Sequence, residues 1–162
     1  MPLGLPELPA ENRGLHEVID TDAGQDWWDE KRVKKHLDEM HSYHRERVEL
    51  LNRASEYTVG TIYRRVRDGS SKSEIRTDGL AGCLRTPRGG SSKQIVLVVG
   101  QGKIRMRWMT PREYARLQGC PNFPINVDRN EALFGFGDAV CVPVIDWIAQ
   151  NVLSQLFPVA TR

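Results

Sequence analysis

Residues 94–119, QIVLVVGQGKIRMRWMTPREYARLQG, encode two strands and a helix in direct succession. The apolar run at residues 94–99 is typical of a buried strand, and Gly100-Gln101-Gly102 is typical of a hairpin turn. Residues 103–108 alternate apolar and basic side chains, so we expect one face of this strand to lie on the core and the other to be basic. The stretch therefore predicts an antiparallel hairpin.

The helix that follows has both of its ends marked in the sequence. Thr110 is suited to cap the helix, Pro111 suits the first helical position, and Glu113 completes a capping box with Thr110. Gly119, followed closely by Pro121, marks the end. We expect a short helix over residues 111–118.

The chain before this hairpin divides into three parts. The first 26 residues are rich in Pro, Gly and acids, and we expect an extended linker or interface segment there. Residues 27–54 repeat apolar side chains and one histidine at spacings of three and four, which predicts one long amphipathic helix. Residues 57–67 are β-branched and aromatic, which predicts a strand. The helical stripe consists of Val33, Leu37, Met40, His44, Val48 and Leu51.

Two further stretches stand out by composition. Residues 69–93 hold five glycines and five serines, too many for regular structure, and a loop of this length in a compact domain is usually functional. Residues 143–157 predict a last helix with a face too apolar to be left in water, so this helix must dock on something. That face carries Val144, Ile145, Ile148, Val152 and Leu156.

Length and composition limit the class of protein. The 162 residues allow one ordinary core, with 40% hydrophobic and 27% charged residues. No apolar run approaches the roughly 20 residues that a bilayer requires, and the amino terminus lacks a secretion signal. We therefore expect a soluble, cytoplasmic protein with no membrane partner. Cys83, Cys120 and Cys141 are too widely spaced for a disulfide framework or a zinc knuckle, so free thiols are expected.

The net charge of +2 conceals an uneven distribution. Residues 1–26 hold six acids against Arg13 alone. Residues 63–108 hold eleven Lys and Arg against three acids. The positive charge is concentrated where a polyanion such as DNA could use it.

Two blocks of sequence, in the proper order, resemble the ninth and tenth motifs of DNA (cytosine-5) methyltransferases. The first block is RWMTPREYARLQGCP at residues 107–121, and the second is GFGDAVCVP at residues 135–143. The resemblance implies a mixed α+β fold: a small target-recognition lobe with a hairpin or sheet and the long amphipathic helix, plus a last helix that belongs to a Rossmann-like methyltransferase lobe. On this interpretation residues 1–26 are the linker, residues 27–134 the recognition domain, and residues 135–162 the segment that completes the catalytic lobe.

The resemblance places target recognition just before the ninth motif, in residues 76–93. Arg side chains give bidentate contacts to guanine or phosphate, small residues allow close approach, and hydroxyls donate to phosphate. Cys83-Leu84 stands where the family commonly has Thr-Leu, so the contact of that threonine is in question. The alternative is a solvated, flexible loop. The expected contacts to double-stranded DNA are Arg76, Thr77, Arg85, Thr86, Arg88, Gly89, Gly90, Ser91, Ser92 and Lys93.

The ninth and tenth motifs imply two further groups of residues. Arg112, Glu113, Arg116 and Gln118 match the ninth motif, whose role is to organise the recognition lobe; Arg116 fits either a buried bond to backbone carbonyls or a surface salt bridge. Gly137, Asp138, Ala139 and Val140 match the tenth, which lines the methionine end of the S-adenosylmethionine pocket. Asp138 replaces the usual Asn and would repel the carboxylate of the cofactor or attract its cationic groups.

The earlier motifs of the family are absent from this sequence. It holds neither the Pro-Cys-Gln nucleophile loop nor a Gly-rich cofactor turn after an apolar strand. We therefore expect no catalytic residue, no activity from the chain alone, and S-adenosylmethionine binding only with a catalytic subunit that carries those motifs. A natural small subunit and a truncated gene both fit, in a bacterium or phage.

Two other functions remain open, and a metal site is a third possibility to weigh. A non-catalytic DNA-binding module would use the last helix for a homodimer. A degenerate remnant would have no activity. His41 and His44 share a helical face but lack a third ligand, so no metal site is expected.

Overall fold

The computed structural model describes residues 4–7, 14–22, 24, 26–67, 69–87 and 92–157. Its centre is an antiparallel sheet of four strands in the order β2-β1-β3-β4. The mixed α+β class expected from the sequence is confirmed in this coarse sense. The strands are β1 (Thr58–Arg67), β2 (Ser70–Arg76), β3 (Ile95–Gly100) and β4 (Lys103–Trp108).

The β3–β4 hairpin forms as its sequence predicts. Gln101 and Gly102 occupy the turn with φ of 51° and 74°, the left-handed region that a two-residue hairpin turn requires. Gly100 passes so close to the chain before β1 that a Cβ there would lie 2.3 Å from the carbonyl oxygen of Glu56. The turn therefore depends on glycine at two positions for two different reasons.

Strand β2 corrects the expectation of a loop over residues 69–93, which is wrong for residues 70–76. β1 is longer than β3, and Ile62 is the last β1 residue that pairs with β3, opposite Ile95. Beyond Ile62 the backbone of β1 pairs with β2 alone, as far as Arg67 opposite Ser70. Backbone pairing along this ribbon therefore outweighs the weak strand propensity of the serines.

Two helices, rather than the one long helix expected, cover the first face of the sheet. They are α2 (Glu30–Asp38) and α3 (Ser42–Asn52), and the prediction of a continuous helix over residues 27–54 is wrong. The chain turns at Met40, which forms a bridge with Ser73 of β2, and His41 caps α3 by accepting from the Tyr43 amide. The apolar spacing survives this break, since Val33, Met40 and Val48 are all buried in the same cluster.

The second face is covered by α1 (Leu15–Val18), α4 (Pro111–Leu117) and α5 (Arg129–Asp138). Helix α1 corrects the expectation of an extended segment before residue 27, because Leu15 and Ile19 pack in one buried cluster with Val96 and Val98 of β3. Helix α5 has no counterpart in the sequence analysis, and the domain boundary expected between residues 134 and 135 falls inside it.

The last described residues form a helix whose apolar surface is largely exposed within the described part of the chain. We call residues 142–156 the C-terminal helix; it consists of α6 (Val142–Ile148), a π-helical turn (Ala149–Leu153) and α7 (Ser154–Leu156). The expected helix over residues 143–157 is thus present, and its apolar side chains lack cover. Those more than a third exposed are Val142, Val144, Ile145, Leu153 and Leu156.

Residues Arg129–Leu156 include an 18-residue window with a mean hydropathy of 1.6, enough to cross a membrane by length and composition alone. The stretch is not one straight helix, because Ala139 and Cys141 have extended backbone between α5 and α6. Each helical part is therefore shorter than the roughly 20 residues that a bilayer requires.

Candidate nucleic-acid interface

The basic loop between β2 and β3 holds the residues expected to contact DNA. Six of the ten lie among the described residues: Arg76, Thr77, Arg85, Thr86, Ser92 and Lys93. Arg88, Gly89, Gly90 and Ser91 lie outside the described residues.

Arg76 is held by a neighbouring acid. Its Nε lies 2.8 Å from Oδ1 of Asp78, and this hydrogen bond raises the pKa of Arg76 and lowers that of Asp78. A DNA contact from Arg76 would have to compete with this pair, which is solvent-exposed and therefore weak.

The two ends of the loop are bonded to each other. Ser92 Oγ donates to the Thr86 carbonyl at 2.8 Å, and Gln94 Nε2 donates to the Cys83 carbonyl at 3.1 Å. Lys93 Nζ bonds Asn130 Oδ1 of α5 at 2.8 Å, while Arg85 is exposed. The flanks of the loop are therefore fixed to the lobe.

Gly137, which the sequence analysis places in the segment that resembles the tenth motif, lies against this loop. A Cβ on Gly137 would lie 2.4 Å from the Thr86 amide nitrogen and 2.7 Å from the Arg85 carbonyl oxygen. Since real Cβ atoms do not approach backbone this closely, only glycine fits. The three residues after it, Asp138, Ala139 and Val140, are exposed.

Gln118 ties α4 to the segment that resembles the tenth motif. Its buried amide donates from Nε2 to the carbonyls of Phe136 at 2.8 Å and Ala139 at 3.3 Å. The Gln118 carbonyl accepts from the Val142 amide at 2.9 Å. The end of α5 and the start of the C-terminal helix are thus both positioned from this one residue.

Glu113 forms a buried ion pair with Arg107, at 2.5 Å between Oε1 and Nη2. Arg107 belongs to the face of β4 expected to be basic, and it is only 1% exposed, so this face is buried at Arg107. Glu113 also accepts from the amides of Thr110 and Asp20. The capping box predicted for Thr110 and Glu113 is confirmed. The burial of Arg107 could have been inferred from its place on the strand face that α4 covers.

Arg112 and Arg116 fasten two other segments to α4. Arg116 Nη1 donates to the Val18 carbonyl at 2.8 Å and to Asp20 Oδ1 at 2.7 Å, so it combines the two alternatives of a backbone contact and a salt bridge. Arg112 donates to the carbonyls of Pro121 and Phe123. The polar residues of α4 therefore organise the lobe, because their side chains are bonded to other segments of the chain.

The cysteine and histidine side chains of the described residues do not form a metal-binding group. All three cysteines are free, as expected, and only Cys83 is exposed. Among the described residues, no group of three or more His, Cys, Asp or Glu side chains is arranged to hold a metal ion.

The structure is thus a four-stranded sheet covered by helices, with the flanks of a basic loop fixed to it and an exposed apolar helix beside it. The chain belongs to the C-5 cytosine-specific DNA methylase family, whose model matches residues 6–154.

Three relatives place the chain within this family. It is 34% identical over 108 residues to Type II methyltransferase M1.ScrFI of Lactococcus lactis subsp. cremoris, covering 66% of this chain and 21% of that protein. It is 35% identical over 108 residues to Type II methyltransferase M.DsaV of Dactylococcopsis salina, covering 66% and 24%. Identity to Type II methyltransferase M.NlaX of Neisseria lactamica is 44% over 68 residues, covering 41% and 21%. The chain thus spans about a quarter or less of the length of these relatives, and no solved structure matches it.

Proposed function

We propose that this chain supplies the target-recognition lobe and the last helix of a DNA cytosine-5 methyltransferase, and that a separate catalytic half supplies the rest. The catalytic half would carry the nucleophilic cysteine and most of the S-adenosylmethionine site. The sequence supports this, since it has no Pro-Cys-Gln loop and no Gly-rich cofactor turn.

The uncovered side of the C-terminal helix is the observation that carries the proposal. Val144 and Leu156 are each 53% exposed, and Ile145 is 45% exposed. Complete burial of a fully exposed side chain of this kind stabilises by roughly 1.5–3 kcal/mol, so burying the exposed half of each would contribute roughly half of that. A helix of this composition at the end of a lobe needs a protein surface, and the catalytic half is the one that the family resemblance supplies.

The residues beside this helix fit a shared cofactor pocket in part. Asp138, Ala139 and Val140 are exposed next to the apolar face, so a second half docked there would meet them. S-adenosylmethionine, when bound, would supply the methyl group, and residues 138–140 would form one wall of its site. Gly137 packs on the backbone of Arg85 and Thr86, so it would link that wall to the basic loop.

The basic loop supports DNA as the substrate. Its fixed ends, its exposed Arg85 and the excess of Lys and Arg in residues 63–108 suit a duplex approached through phosphate contacts. Arg88, in the middle of this segment of sequence, is a candidate for reading a guanine. The expected bacterial or phage cytoplasmic location stays a prediction.

Methyl transfer by the chain alone and by the reconstituted pair tests the proposal. The purified chain should give no transfer to duplex DNA, and addition of a catalytic half with a Pro-Cys-Gln loop should restore it. Robust transfer by the lone chain would refute the division of labour.

Paired variants of the C-terminal helix test which surface the catalytic half binds. Val144→Asp places a charge on the apolar face and should weaken association by at least tenfold. Gln150→Asp adds the same charge to the same helix at an exposed polar position and should leave association close to the parent. Equal affinities for the two variants would contradict the docking surface.

Sedimentation of the lone chain distinguishes the non-catalytic alternative. A stable self-dimer that Val144→Asp dissociates, together with no response to a catalytic half, would favour a DNA-binding module that dimerises through this helix. Duplex binding without either partner interaction would instead indicate a degenerate remnant.

A further inference from the structure

A cleft of about 520 Å³ opens between the start of α2 and the start of α4. Three of the four tryptophans of the chain line it: Trp27, Trp28 and Trp108. Arg32 and Arg129 stand among them. None of these five residues belongs to the basic loop. Only Trp108 lies in a segment that resembles a family motif.

Arg32 is stacked on the indoles of this cleft. Its guanidinium carbon lies 3.9 Å from the ring centroid of Trp28 and 5.4 Å from that of Trp108. A stacked guanidinium keeps its N–H groups in the plane, where they point away from the ring and can donate to an anion. Partial burial lowers the pKa of Arg32, and Asp29 opposes this shift.

Arg107 also lines this cleft. Its side chain is 99% buried, and its Nη atoms are bonded to Glu113, Asp20 and Trp108. Because its charge is already paired with Glu113, Arg107 adds little to the positive charge of the cleft, which leaves Arg32 and Arg129 as the cations that an anion would meet.

The cleft adjoins the basic loop. Arg129, on its wall, precedes Asn130, which binds Lys93 at the end of the loop. Trp108, on the opposite wall, pairs with Ile95, two residues after Lys93. A duplex held by the loop would therefore pass the mouth of the cleft.

We propose that this cleft binds a phosphodiester group of the DNA backbone beside the recognised site, with Arg32 as its main contact and Arg129 as a second cation. The inference rests on the proposed function, since it extends the DNA-binding surface beyond the loop. Two acids also line the cleft. Asp29 accepts the Arg32 amide as the cap of α2, Asp26 is the other, and both carboxylates would limit the affinity for an anion.

Duplex binding by the full chain, measured as a function of salt, tests this contact. Arg32→Ala should weaken binding about tenfold and should lower the slope of log affinity against log salt by about 0.9, the loss of one phosphate contact. Lys34→Ala is the matched control, since it removes the same charge two residues along α2, about 200° round the helix and outside the cleft. Asp26→Asn should strengthen binding.

The outcomes separate this inference from the function it rests on. If the parent binds duplex and Lys93→Ala weakens it, but Arg32→Ala behaves like Lys34→Ala, the cleft proposal is overturned and the recognition function stands. If the parent binds no duplex at any salt, both fall.

Tryptophan emission gives a readout that does not depend on Arg32→Ala folding. Trp147 is the one tryptophan away from the cleft, so a Trp147→Phe chain reports only on Trp27, Trp28 and Trp108. Saturating duplex should change this emission, and inorganic phosphate should compete at high concentration. Unchanged emission at saturating duplex would overturn the proposal.

Discussion

Gly137 and Thr86 are in backbone contact: a Cβ on the glycine would lie 2.4 Å from the threonine amide nitrogen. The contact joins the end of α5 to the basic loop across 51 residues of sequence. It fixes where one flank of that loop lies relative to the start of the C-terminal helix.

Replacing Gly137 should therefore move the loop. Gly137→Ala would force the backbone of Arg85 and Thr86 away and should destabilise the lobe by about 1–3 kcal/mol, as overpacking does. Gly135→Ala, in the same helix with nothing within 4 Å of its Cβ position, should stabilise by about 0.5–1 kcal/mol through helix propensity. Thermal unfolding and duplex affinity of the two variants check this. Two variants of equal stability would show that the loop yields at no cost.

The Arg107–Glu113 pair should be far more sensitive than a surface pair. Glu113→Ala leaves Arg107 charged and buried and removes the Glu113 half of the capping box, the bond from the Thr110 amide, so a loss of about 3–5 kcal/mol is expected. Asp78→Ala, which breaks the exposed pair with Arg76, should change stability little. Denaturant unfolding of both variants measures the difference. A small effect of Glu113→Ala would mean that water reaches Arg107 once the carboxylate is gone.

Stability should fall in mild acid because of His36. Burial lowers its pKa from the ordinary value of 6.5, against the opposing charge of Glu39 and with Arg64 and Arg32 reinforcing the shift. Below pH 6.5 the unfolded chain takes up a proton that folded His36 resists, so the free energy of unfolding drops until the folded pKa is reached. Above pH 6.5 this contribution is constant.

The variant His36→Phe isolates this contribution. It keeps a ring to stack on Trp28 but cannot titrate, and it loses the bond to Ser73. We expect a lower stability at pH 7.5 and a weaker loss between pH 6.5 and the folded pKa, measured by denaturant unfolding at several pH values. A parent-like pH dependence would assign the acid sensitivity to other groups.

Gln118 should hold the junction between α5 and the C-terminal helix. Gln118→Ala leaves the buried Phe136 carbonyl without its donor and should cost about 1–3 kcal/mol, with faster amide exchange at residues 136–142. Gln155→Ala removes a similar side-chain bond, to the Asn151 carbonyl, from an exposed position and should have little effect. Uniform exchange rates in the two variants would contradict a positioning role for Gln118.

Local signals made the hairpin and α4 predictable. Gly100-Gln101-Gly102 and the pair Thr110 and Glu113 act over a few residues, so their consequences can be derived without knowing the rest of the chain. The free thiols and the mixed fold class followed from composition and element type.

What depends on distant partners could not be derived in this way. The break at Met40 is set by Ser73, and the burial of Arg107 is set by Glu113 and Asp20. The contact of Gly137 with Thr86 is set by a residue 51 positions earlier, which the motif around Gly137 does not indicate. The sequence did not predict helix α5, because its two glycines weaken the helical pattern of a stretch in which Leu133 and Phe136 are buried.

The residues just before and just after helix α2 contact the two outer strands of the sheet. The Trp28 amide bonds the Met106 carbonyl of β4 at one end, and Met40 bridges Ser73 of β2 at the other. An open strand edge invites pairing with other chains and, in crowded cells, fibrous aggregation. The segment that contains α2 thus covers part of both edges of the sheet. This would protect the lobe against such pairing while its apolar C-terminal helix is not bound to a catalytic half.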